Sequence, residues 1–216
     1  MLKHPGALRR RFFSVCVMAA SLLVLTPGSH GAERPTAERA QAFMTELVGS
    51  ASAALTAPGQ TLKQREEAFR ELLRRGFDMP FIARVSLGRN WKAIDAADQK
   101  IFIELFGEFV LKTYAPRLGS FDPKLFHVES AEDKGRVDTL VNTRIDQAGG
   151  GGAIRAGWRL RLVNGEPRIV DIIVEGISMT LNQRSEFASV VSRDGVSGLI
   201  EMLRARTETL SVEPRA

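Results

Sequence analysis

The chain has 216 residues, of which 44% are hydrophobic and 25% charged, and its formal net charge is +5. This length fits one domain, or two closely packed subdomains, with a sizeable hydrophobic core. A single cysteine excludes a disulfide framework or a cysteine metal site, and only one of the three histidines, His127, lies beyond residue 31, which is too few for a histidine metal triad.

Residues 1–31 have the pattern of a secretory signal peptide. Basic residues between Lys3 and Arg11 precede an apolar stretch from Phe12 to Leu25, and small residues follow. We expect cleavage after Gly31. An uncleaved membrane anchor is the alternative, although the apolar stretch is shorter than the roughly 20 residues that span a bilayer. Removing this leader lowers the formal charge from +5 to +1. The positive charge of the whole chain therefore does not support nucleic-acid binding.

Helices are predicted for the first half of the mature chain, because apolar residues recur there at steps of three and four. Pro, Thr and Asp at the helix starts are residue types that favour an N-terminus. The predicted helices run from Pro35 to about Thr56, Thr61 to about Gly76, Asp78 to Leu87 and Asp95 to about Tyr114.

The middle of the chain predicts an antiparallel sheet with one apolar and one charged face. Apolar and polar residues alternate in four segments, at 126–129, 136–145, 154–162 and 170–174. Trp158 and Ile172 can share the apolar face only if an odd number of residues connects the last two strands. We therefore expect a three-residue loop from Val163 to Gly165, with Gly165 in the left-handed conformation of a bulged turn.

Helices, then a sheet, then helices predict an α+β fold in which helices cover the apolar face of about four strands. We expect one domain at residues 32–210, with a helical part at 35–118, the sheet at 125–175 and C-terminal helices at 177–208. Residues 211–216 are predicted to form a flexible tail.

The sequence contains none of the usual catalytic, phosphate-binding or metal-binding motifs. Asp171 and Glu175 lie on the same face of a predicted strand, but about 13 Å of strand rise separates their backbones. We predict no catalytic residue, metal or cofactor. An isomerase or hydrolase that uses His127, Asp171 or Glu175 in an apolar pit is the enzymatic alternative.

The most specific segment lies between Val170 and Gly195, where a strand ends at Gly176 and a helix begins near Ile177. This segment, with the helical stretch from Phe77 to Leu118, resembles the MlaC (toluene-tolerance) family. Those proteins are periplasmic phospholipid carriers of an ABC transporter, and the related HpnM proteins are associated with hopanoid lipids. The residues that carry the resemblance are Asp171, Glu175, Gly176, Ser178, Arg184, Ser185, Glu186, Phe187 and the turn at Arg193, Asp194 and Gly195.

The resemblance implies a curved sheet of the nuclear-transport-factor or cystatin-like roll type, with helices that enclose an apolar cavity for acyl chains. We expect a periplasmic monomer that carries a diacyl phospholipid between an outer-membrane lipoprotein–porin complex and an inner-membrane MCE/ABC transporter complex. A hopanoid-associated carrier is the alternative within the family. The predicted lipid-binding residues are Phe102, Leu105, Phe106, Phe109, Tyr114, Leu118, Val141, Trp158, Leu160, Ile172 and Val174.

The role of the C-terminal motif is predicted from helix geometry. Arg184 can reach back toward Asp171 or Glu175, while Phe187 packs inward under the sheet. Such an ion pair would hold the C-terminal helix against the rest of the fold.

Overall fold

A computed structural model describes residues 33–116, 122–147 and 149–212. The predicted signal peptide, residues 1–31, and the last four residues of the predicted tail lie outside these ranges.

Within the described ranges, five α-helices form the helical part of the protein. Side chains of Thr36, Thr61, Asp78 and Asp95 accept hydrogen bonds from backbone N–H groups in the first turns of the first four helices. Thr61 and Asp95 are the caps that the sequence predicts, whereas Pro35 lies just before the first helix and not in its first turn. A 3₁₀ turn at Gly88–Ala93 connects the third and fourth helices. Gly195 interrupts the last helix with a non-helical backbone conformation. The helices are α1 Ala37–Leu55, α2 Leu62–Gly76, α3 Met79–Leu87, α4 Ala96–Tyr114 and α5 Met179–Val212.

One antiparallel sheet follows α4 after a short 3₁₀ turn at Pro123–Leu125. Its strands lie side by side in chain order, because each is joined to the next by a hairpin. The strands are β1 Phe126–Lys134, β2 Asp138–Ile145, β3 Ile154–Val163, β4 Glu166–Val174 and β5 Ile177–Ser178. The predicted α+β class is confirmed, with a two-residue fifth strand in addition to the four expected.

The predicted three-residue loop between β3 and β4 is wrong. Val163 pairs with Glu166, so only Asn164 and Gly165 form the turn, and both have positive φ angles, as a type I′ turn requires. A bulge in β4 then shifts the register, because Leu160 faces Ile169 whereas Arg159 faces Asp171. Trp158 still faces Ile172, so the predicted shared face is present although its cause is a bulge rather than the loop length.

The sheet has an inner face, which carries Val141, Trp158 and Leu160, and an outer face, which carries Asp138, Arg159 and Arg161. Helix α1 packs on the inner face, where Ala40 and Met44 join Val141, Leu160 and Ile169 in one buried cluster. A second buried cluster lies within α3, α4 and α5 and is built largely from aromatic and leucine side chains. The protein therefore has two hydrophobic cores, one between α1 and the sheet and one among helices.

Among the described residues, no helix has both the length and the hydropathy that crossing a bilayer requires.

Candidate functional site

The inner face of the sheet is made of rows of paired residues from neighbouring strands. One row contains Thr139, Leu160 and Ile169, and all three side chains are fully buried. The next row contains Val141, Trp158 and Ile172, of which only Val141 is fully buried. Burial therefore decreases from one row to the next along the strands.

The next row lies toward the end of the sheet where β2 and β4 stop, and its exposure rises across the strands toward β5. In this row Thr143 and Ala156 are buried, Val174 is partly buried and Ile177 is 58% exposed. Helix α1 covers the buried rows but leaves this part of the face with partly exposed apolar side chains. We call it the open end, and it consists of Phe126, Val128, Trp158, Ile172, Val174 and Ile177.

Trp158 has a fixed position at the open end. Its indole N–H donates a hydrogen bond of 2.9 Å to the hydroxyl of Thr143, which in turn donates to the backbone carbonyl of Ala156 at 3.0 Å. The Trp158 ring also contacts Phe126, with 5.9 Å between ring centroids. The indole N–H is thus satisfied inside the sheet, so both aromatic rings can offer apolar surface to a ligand.

The predicted lipid-binding residues do not come together in one place. Val141, Trp158, Leu160 and Ile172 belong to the cluster between α1 and the sheet, and Val174 adjoins them at the open end. Those from α4 belong to the helical cluster, where Phe102, Phe106 and Phe109 surround Phe187 at centroid distances of 5.9 to 6.4 Å.

The remaining predicted contacts from the helical half are less buried. Leu105 packs against the helical cluster and is partly buried, whereas Tyr114 is 46% exposed near the end of α4. Leu118 lies outside the described residues. The lipid contacts of all these side chains stay a prediction.

The C-terminal motif positions α5 through its first residues. One carboxylate oxygen of Asp171 accepts a hydrogen bond from the Ser178 hydroxyl at 2.6 Å, and the other accepts from the backbone N–H of Thr180 at 3.1 Å. The Ser178 hydroxyl oxygen also accepts from the backbone N–H of Leu181 at 3.1 Å. Asp171 and Ser178 together therefore satisfy two of the free N–H groups at the start of α5, those of Thr180 and Leu181.

Glu175 and Gly176 form the tight turn between β4 and β5, with φ angles of 48° and 83°. Glycine adopts this left-handed conformation without steric strain. The Glu175 carboxylate accepts a hydrogen bond of 2.7 Å from the backbone N–H of Arg155 at the start of β3. The partner of the Glu175 carboxylate is thus a backbone N–H group at the end of the sheet and not the guanidinium of an arginine.

The predicted ion pair of Arg184 with Asp171 or Glu175 is wrong. Among the ion pairs of the described residues, Arg184 joins neither carboxylate, and its guanidinium lies against the backbone of Gly88. Phe187 packs inward as predicted, but against α4 instead of under the sheet. Glu186 accepts hydrogen bonds from the neighbouring side chains of Asn182 and Gln183 at the surface.

His127 and Asp171, which the enzymatic alternative would use, do not face the apolar inner side of the sheet. His127 pairs across the strands with Arg144 on the outer face, and its ring lies 2.9 Å from the carboxylate of Asp146. Asp171 lies on the outer face opposite Arg159. Within residues 33–116, 122–147 and 149–212, no group of three His, Cys, Asp or Glu side chains is arranged to hold a metal ion.

The sequence analysis missed Asp138, which is the first residue of β2 and is fully buried on the outer face. Its carboxylate accepts hydrogen bonds from Arg159 and Arg161, each through Nε at 2.6 Å. The sequence shows that Arg159 and Arg161 share one face of a strand. It does not show that Asp138, which binds both, is fully buried.

A small pocket lies at the free edge of β4 beside α1. Its volume is about 230 Å³, and it is lined by Phe43, Glu46, Leu47, Ser50, Arg75, Glu166 and Arg168. Its lining combines charged and apolar side chains, so it differs from the apolar open end.

An α+β fold whose inner sheet face carries partly exposed apolar side chains at one end is typical of proteins that bind an apolar ligand. The chain belongs to the MlaC family, because the family model described as "MlaC protein" matches residues 42–205. This result confirms the resemblance and agrees with the predicted fold class.

Two known proteins are similar to the chain. The first is the "Intermembrane phospholipid transport system binding protein MlaC" of Haemophilus influenzae, with 25% identity over 122 residues. The match covers 55% of this chain and 56% of that protein, so it spans little more than half of the relative. The second is the phospholipid-binding protein from Ralstonia solanacearum, whose structure contains a phospholipid. It matches 80% of this chain and 98% of its own with a TM-score of 0.68 and 21% identity, a similarity of fold.

Proposed function

We propose that the protein is a periplasmic carrier that binds a diacyl phospholipid with its acyl chains at the open end. The single observation that carries this proposal is the group of apolar side chains left partly exposed at the open end, from Trp158 to Ile177, which is 58% exposed. Apolar surface of this kind, next to a part of the inner face that α1 covers, is suited to an apolar ligand. The names of the two relatives support a phospholipid as that ligand.

Lipid solubility explains why a carrier needs such a surface. Two acyl chains of about 16 carbons expose about 32 methylene groups, and each stabilises burial by roughly 0.8 kcal/mol. Leaving both chains in water therefore costs about 25 kcal/mol. A carrier must cover nearly all of this surface during transfer between a complex at the outer membrane and an ABC transporter complex at the inner membrane.

The two tryptophans of the chain allow a direct test of the ligand's position. Trp158 lies at the open end, whereas Trp91 packs against the helical cluster. Bromine atoms on an acyl chain quench tryptophan fluorescence at contact distance. We expect brominated phosphatidylglycerol to quench the Trp91→Phe variant, which retains Trp158, and to leave the Trp158→Phe variant nearly unchanged.

Three outcomes separate the alternatives. Quenching of Trp91 alone would place the acyl chains among the helices, and would contradict the open end as the site. Native mass spectrometry of the mature protein that finds no bound lipid after repeated purification would overturn the carrier proposal. Chemical identification of the extracted lipid distinguishes a phospholipid from the hopanoid of the alternative reading.

A further inference from the structure

A cluster of three arginines lies on the outer face of the sheet, and the proposed lipid site does not use it. Arg159 and Arg161 both donate to the buried carboxylate of Asp138. The guanidinium carbon of Arg161 lies 4.7 Å from the ring centroid of Phe81 on α3, and that of Arg84 lies 5.3 Å from the same centroid. We call Phe81, Arg84, Arg159 and Arg161 the arginine cluster.

The arginine cluster has more positive charge than its own carboxylate compensates. Asp138 balances one of the two guanidinium groups that it binds, and Arg84 makes no ion pair with any described residue. Two other carboxylates lie close by, but both cap helices. Asp171 accepts from the start of α5 and Asp78 accepts from the backbone N–H of Phe81 at the start of α3. The positive ends of these two helix dipoles offset part of the negative charge of their capping carboxylates.

The guanidinium groups of Arg159 and Arg161 are held in position before any partner binds. Asp138 is fully buried and orients Arg159 and Arg161, while the Phe81 ring supports Arg161 and Arg84 through cation–π contacts. The side chains of Arg159 and Arg161 are 39% and 26% exposed, so part of each remains accessible. A fixed planar guanidinium with accessible N–H groups is well suited to bind a carboxylate through two parallel hydrogen bonds.

We propose that the arginine cluster is a docking site for an acidic segment of a partner protein. A headgroup of the carried lipid is a poor fit, because the acyl chains are proposed to lie on the opposite face of the sheet. A membrane surface is also a poor fit, because basic residues that bind bilayers project from the protein, whereas Arg159 and Arg161 are partly buried. Carboxylate side chains on a flexible segment can reach these partly buried groups.

The test uses the mature protein and a fluorescein-labelled peptide of eight glutamates, with binding followed by fluorescence anisotropy. We expect measurable binding at about 50 mM NaCl that weakens strongly at about 300 mM, as screening of charge pairs requires. Arg84→Glu should weaken binding about fivefold or more, since it replaces an attractive contact by a repulsive one. Arg84 is exposed and forms no ion pair among the described residues, so this change should preserve the fold. If Arg84→Glu does not fold, Arg84→Gln replaces it, with an expected loss of about threefold.

Arg193→Glu is the matched control, because Arg193 is exposed on α5 and its ion pair is a 3.9 Å contact with the adjacent Asp194. Equal losses in the Arg84 and Arg193 variants, or no peptide binding by the unchanged protein, would overturn the proposal. Binding to phosphatidylglycerol vesicles that Arg84→Glu abolishes, without peptide binding, would also overturn it in favour of a membrane surface. Native mass spectrometry of bound lipid in each variant separates these results from failure of the carrier proposal.

Discussion

The carboxylate of Asp171 accepts a hydrogen bond of 2.6 Å from the hydroxyl of Ser178, and this contact joins the last long strand to the last helix. Asp171 lies within β4, and Ser178 is the last residue before α5. The pair gives a physical reason for the specificity of the segment that carries the family resemblance. A strand aspartate and a serine seven residues later form a shared cap only if the tight turn at Glu175 and Gly176 returns the chain.

Asp171→Ala should destabilise the protein by about 2 to 3 kcal/mol, because it removes a helix cap and leaves buried donors without an acceptor. Ser178→Ala should have a smaller effect of about 1 kcal/mol, since the Thr180 N–H keeps its partner. Urea denaturation gives both values. Glu186→Ala is the control at the surface of the same helix, and a comparable loss there would contradict the capping role of Asp171.

Val174→Glu should abolish lipid copurification and preserve the fold, because Val174 is only partly buried at the open end. A carboxylate there can remain hydrated when no acyl chain is present. Val141→Glu should instead unfold the protein or lower its stability by several kcal/mol, because Val141 is fully buried beneath α1. Circular dichroism and native mass spectrometry measure the two effects. A Val174→Glu protein that retains its lipid would place the acyl chains elsewhere.

Gly88→Ala should destabilise the protein by about 1 to 3 kcal/mol for two independent reasons. Gly88 has a φ of 63° and a ψ of −131°, and an added Cβ would lie 2.6 Å from Nε of Arg184. Arg184→Ala alone should change stability by less than about 1 kcal/mol, because the side chain is exposed.

The double variant Gly88→Ala/Arg184→Ala should recover only the steric part of the loss, because the backbone strain remains. Urea denaturation of the two single variants and the double variant forms a complete cycle. A large loss in Arg184→Ala alone would show that Arg184 stabilises the fold through a contact other than its position over Gly88.

Asp138→Asn should destabilise the protein by about 3 to 5 kcal/mol, because it leaves Arg159 and Arg161 without their buried counter-charge. Asp133→Asn on the neighbouring strand is the matched control. Its ion pair with Arg34 is largely exposed, so a change of at most about 1 kcal/mol is expected. Similar denaturation midpoints for the two variants would show that Asp138 contributes little to stability.

Local patterns in the sequence determined most of the secondary structure. The capping residues Thr61 and Asp95 mark the starts of α2 and α4, because a side-chain oxygen at that position binds free N–H groups whatever the tertiary context. Alternation of apolar and polar residues located β2 and β3 for a similar reason, since neighbouring side chains on a strand point to opposite faces. The motif between Val170 and Gly195 was also sufficient to identify the family.

Partners that are distant in sequence were decided by the tertiary structure. Apolar spacing shows that Phe102 and Val141 are both buried, but it does not show that they belong to different cores. In the same way, the charge pattern allowed an ion pair between Arg184 and Asp171. In the folded protein, the Asp171 carboxylate instead accepts hydrogen bonds from the Ser178 hydroxyl and the Thr180 N–H. Periodicity reports which side of an element is apolar, and only the packing of whole elements decides what that side touches.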